Sequence, residues 1–569
     1  MAEAGDPSSR SSELVPRLAL ALTLAPLVVS AIYLLVVVGG DYHPMGDLAG
    51  TELRTRDVGR YMLWTGPYSR DGWFHPGPAV YYVLAPTYRL LGSSSVALLV
   101  GALVVNGASI VGMAVIARRR GGLPLLLSTL VACSLLLRAV DADVVRFAWN
   151  PYITVLPYGL LVFLCWSMAC GDRWALPVAT VITTFVAQTH VGYLALAIPL
   201  LLAGAGWLVG SALLSRRSLR ELLVPGLIAA GASAVLWLPP MFQQLNHQPP
   251  NLSRIVTYMQ EGEPRTLAHG WKVIAAQYTW KPEWIAGQSE LTFLAEPTYL
   301  VEGPGLPLLL VPVLLGGLFL WWRGDRSARS LIAVWVLASV VGTVATARTI
   351  GLIFAYRLGW AWFLGMTGGL LVIWAGYTAV LRRDRPRETR LLQPAALLVI
   401  AVTSLFSSMA AVRAGVPEEE VSGLVGQIAP GLRDALPDGD GAVLVSPASY
   451  VSMAYHGGLL VDLEKHGVMA RVREHDKTLG WHRSYTGGPV RARLLVAGDL
   501  DVVRHLNDDD LELLVYAGSL PQERLEAAAA ELEDLEAELD AGEISREEFD
   551  EGVSRLLPPL QAAAVFLQS

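Results

Sequence analysis

The sequence predicts an α-helical polytopic membrane protein with about 11 transmembrane helices, a small C-terminal α/β domain and a helical hairpin. Three observations predict it. Of 569 residues, 53% are hydrophobic and only 16% are charged, with a mean hydropathy of +0.44, which is too apolar for a soluble enzyme. Apolar runs of about 20 residues, the length that crosses a bilayer, recur from residue 17 to residue 413. After residue 414 the pattern changes to short alternating strand-like and helix-like stretches.

The chain opens with a polar tail, 1–16, expected to be cytoplasmic. Spans are expected at 17–38, 95–116, 122–140, 152–170, 175–190, 192–214, 222–240, 305–322, 328–347, 355–381 and 393–413. The first run is too long for a signal-peptide core and reads as a retained span. The basic stretches 118–120, 171–173, 215–220, 323–329 and 382–390 all fall on one side, which the positive-inside rule assigns to the cytoplasm. The other side receives 39–94, 141–151, 241–304, 348–354 and everything after 414. All ten histidines then lie at or beyond the outer membrane edge, so the chemistry is expected there.

Net charge is −7 and the isoelectric point is near 5.9, which gives no reason to expect nucleic acid as a partner. Cys133, Cys165 and Cys170 sit in apolar stretches and are expected to pack as small hydrophobes. Residues 414–518 are expected to form the α/β domain, outside the cytoplasm. Residues 519–569 form an acidic helical tail, in which Ser545 and Glu548 make a capping box.

The polar segment between the first two spans is the densest in chemistry. Acids, bases and aromatics crowd residues 39–92, which suits a sugar and a phosphate. Asp41 and Asp47 are the candidate general bases: a transferase must take a proton from an acceptor hydroxyl, and a carboxylate within hydrogen-bond reach does this. Asp47, Thr51 and Arg54 share one face of a helix expected to lie on the membrane surface. The plainer reading of Asp47 is a helix N-cap.

Arg70 and His75 belong to a turn that its prolines and glycines impose, and Pro78 suits the first turn of the next helix. Tyr81, Tyr82 and Tyr88 on that helix are expected as interfacial aromatics. His75 is a candidate for orienting phosphate or acceptor. Asp141 and Asp143 suit a hard cation, Mg or Mn, that also binds phosphate oxygens; alternatively they are solvated acids. Trp149 and Asn150 suit a sugar ring. Gln188 and His190 end a short span, where polar side chains usually face a cavity. Arg348 and Arg357 flank the outer ends of the ninth and tenth spans. Arg357 needs a counter-charge, either a donor phosphate or an acid such as Asp47 or Glu52. Asn246, His247, Asn251 and Arg254 suit the roof of a cavity. Asn251 also opens an N-glycosylation pattern.

The order of these features, with the strings GDLAGTELRTRDVG, GPYSRDGWFHPGPAVYY, RFAWNP and QTHVGY, resembles the GT-C glycosyltransferase superfamily, and its actinobacterial members in particular. That superfamily includes protein O-mannosyltransferases and aminoarabinose transferases. The similarity covers about 1–410 in plan, and 39–92, 141–151 and 185–193 in motif. It implies Asp47 as the first-loop acid and Asp141 or Asp143 as the second-loop acid. It implies a polyprenyl-phosphate-sugar donor, a glycan, lipid or protein acceptor, and a surrounding membrane lipid. Many members carry adjacent acids in the first loop; here Asp47 is followed by Leu48, which leaves both the cation and the choice of Asp41 or Asp47 open. The resulting expectation is an inverting transferase acting at the outer face. The alternatives are a flippase or a non-catalytic binding protein for a lipid-linked saccharide.

Overall fold

The computed structural model describes residues 7–214, 218–287, 296–323, 325–381, 386–473, 478–556 and 562–568. The expected basic stretches at 215–217 and 382–385 lie outside them. The chain forms two compact units. The first comprises Met1–Leu34, Leu63–Thr87 and Leu99–Gly415; the second comprises Leu35–Met62, Tyr88–Leu98 and Val416–Ser569. The expected catalytic loop 39–94 is therefore divided between units, rather than belonging wholly to the transmembrane domain.

Among the described residues, eight helices are long and apolar enough to cross a membrane, and the chain is a multi-pass membrane protein. Two shorter apolar helices, Ala175–Thr189 and Leu310–Arg323, accompany them. The spans expected at 95–116 and 122–140 are one 44-residue helix, Val96–Ala139, broken at Gly122, whose φ is 67°. Arg118–Arg120 are thus helical, and Arg120 pairs with Asp172 at 3.0 Å. The span Asn150–Ala169 is buried along its apolar length and lies at the centre of the first unit. The first helix, Pro7–Tyr33, packs along the last, Pro386–Arg413, and the Ser404 hydroxyl donates to the Leu22 carbonyl at 2.6 Å.

One buried cation holds the loop at 141–151 in place. Arg146 is fully buried, pairs with Asp143 at 2.8 Å, and donates to the carbonyls of Ala411 and Ala414 at 3.2 and 3.0 Å. A guanidinium with three acceptors can leave water; a carboxylate and two carbonyls left without it cannot be resatisfied.

The second unit is built on a five-stranded sheet. Its strands are β1 (Ala442–Pro447), β2 (Ala470–Arg471), β3 (Val490–Gly498), β4 (Leu511–Gly518) and β5 (Ala562–Gln568), in the order β2-β1-β3-β5-β4. β1 runs parallel to β2 and β3, while β5 runs antiparallel to β3 and β4. The boundary expected at 518/519 is therefore corrected. The tail is part of the domain, because its last strand fills the gap between β3 and β4. Ala562–Phe566 are each 0% exposed.

Helices cover both faces of the sheet, which explains the continuous apolar runs in β1, β3 and β5. On one face lie Glu419–Ala435, Met453–Lys465 and, from the first loop, Gly46–Asp57, whose Ala49 and Leu53 join the core. On the other lie Gln522–Asp540 and Arg546–Leu556, through Leu525, Ala528, Leu532 and Phe549. The expected acidic hairpin is thus a packed layer. Its capping box is present: Ser545 N–H donates to Glu548 at 2.8 Å, and Glu548 N–H donates to the Ser545 hydroxyl at 3.2 Å.

The expected interfacial tyrosines are also corrected. Tyr81 and Tyr88 are 2% and 1% exposed, and only Tyr82 is open. Tyr88 is held inside by donating its phenol proton to Glu52 at 2.7 Å.

Replacing Arg146 by Ala strands Asp143 and two carbonyls, and is expected to cost roughly 3 kcal/mol or more, read as a lower Tm in detergent. Removing residues 562–569 is expected to unfold the second unit, because β3 and β4 lose the strand between them. Proteolysis of residues 490–518 checks this.

Candidate functional site

The polar turn after the first unit's break is held from three sides. Asn251 begins the helix Asn251–Glu261. Its side chain accepts from Phe74 N–H at 2.9 Å and donates to Phe74 C=O at 2.8 Å. The expected roof residue is thus a clamp, 2% exposed, and too enclosed to be glycosylated. Gln188 accepts from Gly77 N–H through its backbone carbonyl at 3.2 Å, and its side chain occupies the space a Gly77 side chain would need. The same side chain donates to Leu236 C=O at 2.7 Å. His75 Nδ1 accepts from Val191 N–H at 3.1 Å.

That last bond decides the chemistry of His75. A ring nitrogen that accepts from a backbone N–H cannot carry a proton, so the proton of neutral His75 is on Nε2. His190 is arranged in the same way, with its Nδ1 accepting from Gly192 N–H at 3.2 Å. The two rings stack with centroids 4.8 Å apart. Burial, reinforced by the positive charge of Arg357, pushes the His75 pKa down to about 3. The pair therefore presents neutral N–H donors at pH 7.

Cations sit beside these donors. Arg357 lies 5.3 Å from the Phe354 ring and 5.8 Å from the Tyr356 ring. Arg70 lies 4.9 Å from the same Phe354 ring. Among the described residues neither has a carboxylate partner, and Arg357 Nε is buried without a hydrogen bond. Two guanidinium groups on one phenyl ring repel each other; an anion between them removes the repulsion. Trp149 lies tilted against Tyr356 at 4.7 Å and meets Tyr152 edge-on at 5.0 Å. Asn150 follows it, buried at the start of a short helix. Donors, cations and an indole face are the elements that hold a phosphate and a sugar ring.

A cavity of about 920 Å³ opens in the same unit, lined by Leu137, Arg138, Asp141, Glu283, Trp362 and Arg413 among others. Asp141 caps the helix Ala142–Arg146 by accepting from Asp143 N–H at 3.2 Å. Burial raises the pKa of Asp143, opposed by Arg146. Among the described residues no group of three or more potential metal ligands occurs. Asp143 is engaged by Arg146, while Asp141 lines the cavity.

The fold has solved counterparts. ArnT from Cupriavidus metallidurans, bound to undecaprenyl phosphate, aligns over 89% of this chain and 96% of its own, at 12% identity and a TM-score of 0.51. Its apo state aligns over 90% and 97%, with a TM-score of 0.50. This chain shares the fold of ArnT. The arabinofuranosyltransferase AftD from Mycobacteria aligns over 98% of this chain and 40% of its own, at 14% identity and a TM-score of 0.44. No protein-family profile and no curated protein sequence matches the chain.

Within this fold the residues expected from sequence divide. Arg70, His75, Trp149, Asn150, Gln188, His190 and Arg357 all belong to the first unit, as do Asp141 and Asp143. Arg348 is exposed beyond the last turn of Arg326–Ala347 and makes none of the aromatic contacts of Arg357. Asp41 and Asp47 belong to the second unit, and both are exposed. Asp47 is in the first turn of Gly46–Asp57, whose N-cap is Met45, so it is not the cap. The helix is not laid on a membrane surface: eight of its residues, including Thr51 and Arg54, are buried. Phe354 and Tyr356 escaped the sequence reading. The string FAYR, with two aromatics next to an arginine in an apolar run, was the available signal.

As pH falls below the ordinary histidine value of 6.5, unfolded His75 takes up a proton and folded His75 does not until about 3. Stability is therefore expected to decline from pH 6.5 downward, with His75 contributing up to about 1.4 kcal/mol per pH unit. Tm measured from pH 7 to pH 5 should fall less steeply in His75→Gln than in the parent.

Proposed function

We propose that the chain is an inverting glycosyltransferase that moves a sugar from a polyprenyl-phosphate donor to a hydroxyl acceptor at the outer face of the membrane. The cluster of Arg70, Arg357, His75 and His190 is the observation that carries this reading: two cations without carboxylate partners beside two neutral N–H donors, in a fold whose counterpart ArnT is described with undecaprenyl phosphate bound.

Asp47 takes the proton from the acceptor hydroxyl, with Asp41 as the alternative base. The acceptor oxygen attacks the anomeric carbon, and the carbon–oxygen bond to phosphate breaks. The electron pair leaves on the phosphate, and the anomeric centre inverts. Arg70 and Arg357 stabilise the growing charge on the leaving phosphate, with the Nε2–H groups of His75 and His190 as further donors. Trp149 and Asn150 hold the sugar ring. A divalent cation at Asp141 and Asp143 would have to compete with Arg146 for the Asp143 carboxylate. The reading places the N-terminus in the cytoplasm and the α/β domain outside it, as the basic stretches predict.

The test is Asp47→Asn in nanodiscs with a panel of polyprenyl-phosphate hexoses and pentoses. Turnover is expected to fall by about 100-fold or more, with donor binding retained. Arg357→Gln is expected to weaken donor binding instead. Donor transport without hydrolysis or transfer, unaffected by Asp47→Asn, would establish a flippase.

A further inference from the structure

The expected role of the C-terminal domain was left open by the sequence, and the second unit answers through a buried ionic network. Arg483 is 1% exposed. It donates to both oxygens of Asp57, at 2.8 and 3.0 Å, and to both oxygens of Glu464, at 2.7 and 2.9 Å. It also donates to Leu53 C=O at 3.4 Å. Asp57 is the last residue of the helix Gly46–Asp57. His482 adds a contact to Asp57 at 3.3 Å and stacks on Tyr61 with centroids 3.7 Å apart. One turn back, Glu52 is fully buried and pairs with Lys465 at 2.6 Å, while accepting from Tyr88. Arg433 pairs with Asp462 on the same partner helix.

Backbone packing completes the hold. The helix Met453–Lys465 carries Gly457 and Gly458 where it meets the first-loop segment. A Cβ on Gly457 would stand 2.9 Å from the Ala49 Cβ, and one on Gly458 would stand 2.6 Å from the Pro44 carbonyl oxygen. His43 N–H donates to the Ser422 hydroxyl at 2.9 Å. The helix is thus fixed at its entry, middle and end by residues more than 360 positions later in the chain.

We propose that the α/β domain is the positioning scaffold for the helix that bears Asp47, with Arg483 and the Gly457-Gly458 pair as positioning residues. It rests on the reading of Asp47 as the base. A single guanidinium that binds two carboxylates on two elements fixes both their separation and their rotation, which a point charge does not. A base displaced by 1 Å loses rate far more than it loses affinity. The domain therefore acts on turnover, not on donor recognition.

The test uses the full chain in nanodiscs, with Arg483→Gln, Arg483→Lys and Gly458→Ala. Amide hydrogen exchange is read over residues 46–57 and over β3 as a control, next to kcat and the donor KM. In Arg483→Gln and Gly458→Ala, exchange over 46–57 should rise by about tenfold or more, with β3 unchanged. The kcat should fall by about tenfold or more, with donor KM within about twofold, and Arg483→Lys should recover part of the loss. Parental exchange in both variants overturns the proposal, as does faster exchange with parental kcat. If Arg483→Gln does not fold, Gly458→Ala decides alone. If Asp47→Asn keeps its turnover while exchange and kcat still change together, the base reading fails and the scaffold stands.

Discussion

The second unit depends on how the guanidinium of Arg483 is paid for. Removing a cation from water costs several kcal/mol, and here two carboxylates and two carbonyls replace the lost hydration. Burial opposes ionisation of Asp57, but hydrogen bonds from His482 and Arg483 hold its carboxyl below the ordinary carboxylate range. The partners come from segments far apart in the chain: residue 57 in the first loop, 464 in a helix over the sheet, and 483 in a short turn. None of the three carries a charge that the others can spare. Such a network adds little net stability over an apolar core of equal volume, yet it permits only one arrangement of its parts. That restriction matters for a helix whose exposed face carries a candidate base.

The first unit follows a different rule. Around His75 and His190 the polar groups are oriented by backbone hydrogen bonds. Val191 and Gly192 offer their N–H groups to the Nδ1 atoms of His75 and His190, so each imidazole turns its own N–H away. Asn251 fixes the turn that carries His75 by bonding both polar atoms of Phe74. The cations nearby are left to aromatic rings, which attract a guanidinium without neutralising it. Charge is thereby held available for an anion, whereas the charge in the second unit is spent internally.

Much of the site was legible in the sequence because expensive residues stand out in an apolar background. Arg357 within an apolar run, Gln188 and His190 at the end of a short helix, and Arg70 and His75 in a Pro/Gly turn were visible for that reason. Phe354 and Tyr356 were not, because aromatics in a membrane segment are ordinary. Arg348 and Arg357 looked equivalent in sequence; only the backbone after Ala347 leaves one exposed and turns the other onto Phe354. The tail strand AAAVFLQ was missed because a fully buried strand has no alternation, and its alanines favour helix.

By itself the sequence determined the membrane character, the apolar helices, the presence of a terminal α/β domain and the residue types gathered in the candidate site. These follow from composition and local period, which the solvent reads one segment at a time. Tertiary structure alone decided that the first loop is shared between two units, that β5 enters the middle of the sheet, and that Glu52 and Asp57 are bound by Lys465 and Arg483. The physical reason is the same in each case: a pairing between groups hundreds of residues apart leaves no periodic trace, since its energy exists only once both partners have left water together.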